Sequence, residues 1–156
     1  MSSEVPETAM RSAPATTGRK SPAFLRGAIL FVCLVQLGFA IAGLIANPDF
    51  AHGAAATSVP VLGVDFNGWH AVAGFALFGP GVLAARRAYW AFWYAISATA
   101  VLVLTGVWGL LDHRPAVGLL FFPDNVGDGV FHFASAAAFA VILIAHGRVP
   151  SHSDER

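Results

Sequence analysis

The chain has 156 residues, of which 56% are apolar and 12% charged, and nine basic side chains balance nine acidic ones. That length allows a single domain, the neutral balance leaves no cationic face for a nucleic acid, and the apolar excess is that of a membrane protein. Cys33, the one cysteine, has no intramolecular partner and reads as a small apolar residue inside a hydrophobic run.

The opening stretch MSSEVPETAMRSAPATTGRKSP is rich in Ser, Thr, Pro and Ala and lacks aromatics, so residues 1–24 are expected to form a disordered tail. Four uncharged runs follow: Gly27–Asn47, Phe66–Ala85, Ala88–Leu111 and Gly129–Gly147. Each is near the roughly 20 residues that cross a bilayer as a helix. A backbone in lipid must satisfy its own hydrogen bonds, and continuous runs of this length do not alternate as barrel strands do. The first run exceeds the roughly 7–15 apolar residues of a signal peptide and is expected to stay as an anchor. The expected fold is all-α, a polytopic membrane four-helix bundle over residues 25–148, with a short tail at 149–156.

Basic residues set the expected orientation. Arg11, Arg19, Lys20 and Arg26 precede the first span, Arg86 and Arg87 join the second to the third, and Arg148 and Arg156 follow the fourth. Under the positive-inside bias both termini are cytoplasmic, and the loops near residues 48–65 and 112–127 face the other side. Tyr89, Trp90, Phe92, Trp93 and Tyr94 then gather at the inner face, and Phe66, Trp69, Trp108, Phe121, Phe122 and Phe131 at the outer one, as interfacial anchors. Pro80, in the sequence FGPG, cannot donate to the backbone ladder and is expected to bend the second helix. The small-residue run ASAAAFA at Ala134–Ala140 permits close approach to a neighbouring helix, with homodimer contact as the lesser reading.

Two titratable residues break the apolar pattern. His70 follows Trp69 and His132 follows Phe131; each has a polar residue about one helical turn earlier, Asn67 or Asp128, and an arginine sixteen residues later, Arg86 or Arg148. This reads as two helical hairpins in parallel pseudo-repeat, related by an axis along the membrane normal. Helical spacing gathers Asn67, His70, Gly74 and Gly81 on one side of the second span and Asp128, His132 and Ser135 on one side of the fourth. Facing hydrocarbon would cost several kcal/mol, so both histidines are expected to turn inward.

Three readings of this cluster compete. In the leading one it is structural, with Asn67 accepting a hydrogen bond from His70 and Asp128 from His132. In the second, His70 and His132 bind a metal or haem, with Asp65, Asp124 and Asp128 nearby, although neither helix carries a His-x-x-x-His or Glu-x-x-His pair. The third is a proton or small-solute route, for which only Gln36, Ser97, Thr99 and Thr105 offer continuation. No G-x-S-x-G, H-E-x-x-H, C-x-x-C or phosphate-binding glycine loop is present, and the Asp112–His113 pair in GLLDHRP has no serine or cysteine beside it. No enzyme activity and no obligatory cofactor are therefore expected; the expected partners are the lipid bilayer and a second membrane protein or another copy of the chain.

NGWHAVAG at the start of the second span, the basic turn LAARRAYW and DNVGDGVFH before the fourth are the features of a known family. The chain resembles the actinobacterial four-span integral membrane proteins known only as a domain of unknown function, over roughly residues 25–148. The resemblance implies the four-span topology and a bacterial inner membrane, and it implies no reaction. It points to Asn67, His70, Asp124, Asn125 and His132 as the positions of interest. In the family the histidine follows the Asp-Asn pair more closely, whereas here VGDGVF separates Asn125 from His132.

Overall fold

The computed structural model describes residues 20–111 and 125–151. The expected tails beyond those limits and the loop carrying Asp112, His113, Phe121, Phe122 and Asp124 lie outside the described residues.

Among the described residues, four α-helices make up the body: α1 (Pro22–Ala46), α2 (Gly68–Ala84), α3 (Ala88–Leu111) and α4 (Val126–His146). Local chemistry fixes their starts. Ser21 Oγ accepts from Phe24 N at 3.2 Å and Pro22 opens α1, where its missing N–H is not needed. Asn67 caps α2 and Asn125 caps α4, each accepting from the backbone N–H three residues on. These caps move two boundaries. Phe66, expected at the start of the second span, belongs to a strand, and α4 begins at Val126, three residues before Gly129, because Asn125 and Asp128 close a capping box there. Gly147, with φ 73°, ends α4 in the left-handed conformation.

The helices pack as two antiparallel pairs, α1 on α2 and α3 on α4. Small residues make this close contact. On α3 the buried positions Ala88, Ala91, Ala95, Ala98, Leu102, Gly106 and Gly109 recur every three or four residues and face the bundle. A Cβ added to Gly81 on α2 would overlap Cys33 Sγ and the Tyr94 ring, and one added to Gly43 on α1 would overlap the Phe66 ring. Leu25, Ile29, Leu102 and Phe139 fill the space between the helices, and other large apolar residues point outward: Ile45 is 77% exposed, Leu104 70% and Ile144 78%. This outward apolar surface suits hydrocarbon as its surroundings.

Gln36 and Ser135, inside the bundle, are bonded to one another. Gln36 Nε2 donates to Ser135 Oγ at 2.6 Å, and Ser135 Oγ donates to Phe131 O at 2.8 Å. Near Pro80, inside α2, the Tyr94 hydroxyl donates to Leu77 O at 3.1 Å, tying α3 to the turn that the proline weakens. Gln36 and Ser135 therefore serve helix packing.

The connection from α1 to α2 holds an element that the apolar pattern did not announce. After a 3-10 turn at Gly53–Ala55, strands β1 (Val59–Val61) and β2 (Val64–Phe66) pair antiparallel, Val59 opposite Phe66 and Val61 opposite Val64. Leu62 (φ 52°) and Gly63 (φ 85°) form the two-residue turn, both with the left-handed backbone of a type I′ hairpin. The rest of the connection is tied by side chains. The Asp49 carboxylate accepts from Thr57 Oγ1 and Thr57 N, both at 2.7 Å, and from Ala51 N at 2.8 Å. These bonds, the Thr57 hydroxyl foremost, hold its pKa below the ordinary carboxylate value. Asn47 Nδ2 bridges to Phe66 O at 3.1 Å, and Trp69 Nε1 donates to Phe50 O at 3.0 Å.

Candidate functional site

The polar residues meet where β2 crosses the first turns of α2 and α4. Asp128 is fully buried and is the hub. Its Oδ2 accepts from Asn125 N at 3.0 Å, the capping-box bond within α4, and from Asp65 N at 3.1 Å, which reaches across from β2. Its Oδ1 lies 3.8 Å from His70 Nδ1. That ring nitrogen is 2.6 Å from Asp65 O, and because a carbonyl oxygen only accepts, Nδ1 carries the proton and donates. Both backbone polar groups of Asp65 are thus engaged, its N–H by α4 and its C=O by α2.

Close backbone contact completes the junction. A Cβ added to Gly127 would overlap the carbonyl oxygen of Gly63 at the hairpin turn. The Phe66 ring stacks on His70 with centres 4.5 Å apart, and its other neighbour, Phe39, meets Phe131 at 4.7 Å. His132 stands one turn below Asp128, its ring centre 6.3 Å from that of His70. The His132 Nδ1 is buried with no hydrogen-bond partner among the described residues.

The geometry brings together five of the six positions singled out from the sequence: Asn67, His70, Asn125, Asp128 and His132. Asp124 lies outside the described residues. The partners differ from those expected. Asn67 accepts from the backbone N–H of His70 at 2.9 Å, so its role is to cap α2 and not to hold the ring. Asp128 serves backbone N–H groups and approaches His70, leaving His132 to itself. The repeat also shifts register. The two caps align Asn67 with Asn125, which sets His70 opposite Asp128, the third helical residue in each case. The pair that recurs in sequence as His70 and His132 is therefore not equivalent in position.

Gly63 and Gly127 are members of the site that side-chain chemistry could not reveal, because they act through the backbone, and Asp65, noted in the sequence for its carboxylate, is held through its N–H and C=O. The Leu-Gly pair between valines was the available signal for the hairpin. The two imidazoles are within reach of one ion, but among the described residues no third His, Cys, Asp or Glu joins them in a metal-binding group.

Among the described residues, four apolar helices that expose large apolar side chains on their outer faces, three of them long and apolar enough to cross a bilayer, define an α-helical membrane protein. α2, with 17 residues, rises about 25 Å and is the short member. The chain belongs to the family described as Domain of unknown function (DUF4383), whose model matches residues 26–145. No curated protein and no solved structure matches it.

Proposed function

We propose that the protein is a non-enzymatic multi-pass protein of the bacterial inner membrane whose polar cluster is a structural clamp. The clamp pins the β-hairpin to the ends of α2 and α4, so that the connection between α1 and α2 closes one end of the bundle. The observation that carries this reading is the double engagement of Asp65, with its N–H on the buried Asp128 carboxylate and its C=O on the His70 ring. A catalytic pair keeps both groups for a substrate, whereas here Asp128 Oδ2 and His70 Nδ1 are engaged by backbone. In Asp128→Asn, which keeps the side-chain shape but removes the charge, amide hydrogen exchange at Asp65 should accelerate at least tenfold while the mid-helix amides of α3 stay protected. Unchanged protection at Asp65 would remove the clamp.

The basic residues support an orientation with both termini cytoplasmic and the hairpin on the outer side. Leu62, 92% exposed at the hairpin tip, is the position to test. A cysteine there, in a Cys33→Ala background, should react with a membrane-impermeant maleimide in intact cells, and one at Arg86 should react only after lysis. The reverse pattern would invert the topology.

A further inference from the structure

The clamp occupies one end of the bundle, and a different chemistry gathers at the other. We infer that Arg26 and Arg86, at the corner where α1 meets the turn from α2 to α3, bind the phosphate of an anionic phospholipid whose acyl chains lie along the neighbouring apolar surface. The inference goes beyond the clamp and does not draw on it.

Arg26 is oriented by the fold. Its Nε–H donates at 3.2 Å to the carbonyl of Ala85, the C-cap of α2. A helix C-terminus attracts a cation, which holds the guanidinium at that point. One of its five N–H donors is used there, and the four on Nη1 and Nη2 keep the planar fork that binds phosphate in bidentate fashion. Arg86 follows Ala85 directly, so both side chains leave from one corner, and both are exposed. Among the described residues no carboxylate pairs with either arginine.

Charge is divided between the two ends of the molecule. By connectivity, and with residues outside the described ones included, the Arg26 end carries eight basic residues and four acids, Glu4, Glu7, Asp154 and Glu155. The hairpin end carries Arg114 and five acids, Asp49, Asp65, Asp112, Asp124 and Asp128. The Arg26 end is therefore cationic even with the acids of both tails counted, and it complements an anion.

The apolar surroundings select a lipid over a free phosphate. Leu83, three residues before Arg86, is 60% exposed, and Trp90, four residues after it, is 54% exposed. An exposed tryptophan at the end of a spanning helix sits at headgroup level, with outward leucine in the hydrocarbon beside it. A ligand that meets the arginine pair and this surface together carries its anion on a hydrocarbon tail. Basic pockets between spanning helices are where such headgroups bind.

The test uses the full chain, delipidated in dodecylmaltoside and titrated with dioleoylphosphatidylglycerol or dioleoylphosphatidylcholine, with bound lipid counted by native mass spectrometry. The first phosphatidylglycerol should bind about twentyfold more tightly than the first phosphatidylcholine, and Arg26→Gln and Arg86→Gln should each reduce that preference about fivefold. Arg86→Gln breaks no side-chain hydrogen bond among the described residues, so it tests the site should Arg26→Gln loosen the contact of α1 with α2. Lys20, at the same end but bonded through its backbone to Ala145 of α4, is the control for a diffuse field, and Lys20→Gln should keep the preference within about twofold of wild type. Equal binding of the two lipids by wild type, an unchanged preference in Arg86→Gln, or an equal loss in Lys20→Gln would overturn the site. Displacement of the lipid by inorganic phosphate would do the same by making the ligand a free anion. So would a preference that appears only in Asp154→Asn/Glu155→Gln, since the chain's own acids would then be the occupant.

Discussion

Asp128→Ala should destabilise the protein by about 3–5 kcal/mol, the largest loss expected from any single truncation in the cluster. The carboxylate is fully buried and accepts from two backbone N–H groups, those of Asn125 and Asp65. Hydrogen bonds to a charged group contribute about 1.5–3 kcal/mol each, and loss of a capping residue costs about 1 kcal/mol. The first turn of α4 also favours a negative charge, by about 0.3–1 kcal/mol. These terms overlap, because the Asn125 bond is the capping box itself, which keeps the expected total near the lower end of their sum. Asp128→Asn retains an oxygen acceptor and should cost about half as much. Reversible unfolding in mixed dodecylmaltoside and SDS micelles, followed by far-UV circular dichroism, measures both. If Ala and Asn variants prove as stable as wild type, the carboxylate is not the hub of the junction.

The contrast between what the sequence disclosed and what it hid follows from the physics of each feature. Length and hydropathy made the four helices legible, since a spanning helix needs a long apolar run and little else produces one. The inward turn of His70 and His132 was legible for the same reason, as an ionisable ring is costly against lipid. The alanine and glycine ladder of α3 was present in the residues but carries no hydropathy contrast. On α3 the buried face differs from the outward one mainly in side-chain size, since both are apolar. The hairpin was hidden because two three-residue strands give almost no alternation to read. Its anchoring was hidden more deeply, because it runs through the N–H and C=O of Asp65 and the bare Cα of Gly127. Sequence spacing paired Asp128 with His132 as neighbours on one helix, whereas the fold spends Asp128 on a strand more than sixty residues away.

Gly127→Val should weaken the same junction from the backbone side, by about 1–3 kcal/mol. A side chain at this position would run into the carbonyl oxygen of Gly63 and lie 2.8 Å from Asn125 Oδ1, so the obstacle on the hairpin side is backbone, which has no rotamer by which to yield. The hairpin must lift from α4, and the Asp65 N–H to Asp128 bond, 3.1 Å in the intact protein, should lengthen or break. Asp128→Ala and Gly127→Val therefore remove one shared contact by two routes. Their combined cost should fall short of the sum of the single costs by about 1 kcal/mol or more, since a hairpin already released cannot be released again. Gly81→Ala supplies the control. It crowds Cys33 Sγ and the Tyr94 ring, near the far end of α2, and shares no partner with the junction. Its cost should add to that of Asp128→Ala within about 0.5 kcal/mol. Strict additivity of Asp128→Ala with Gly127→Val would mean that hairpin and helix cap act independently, and that the strand rests on α4 without being held by it.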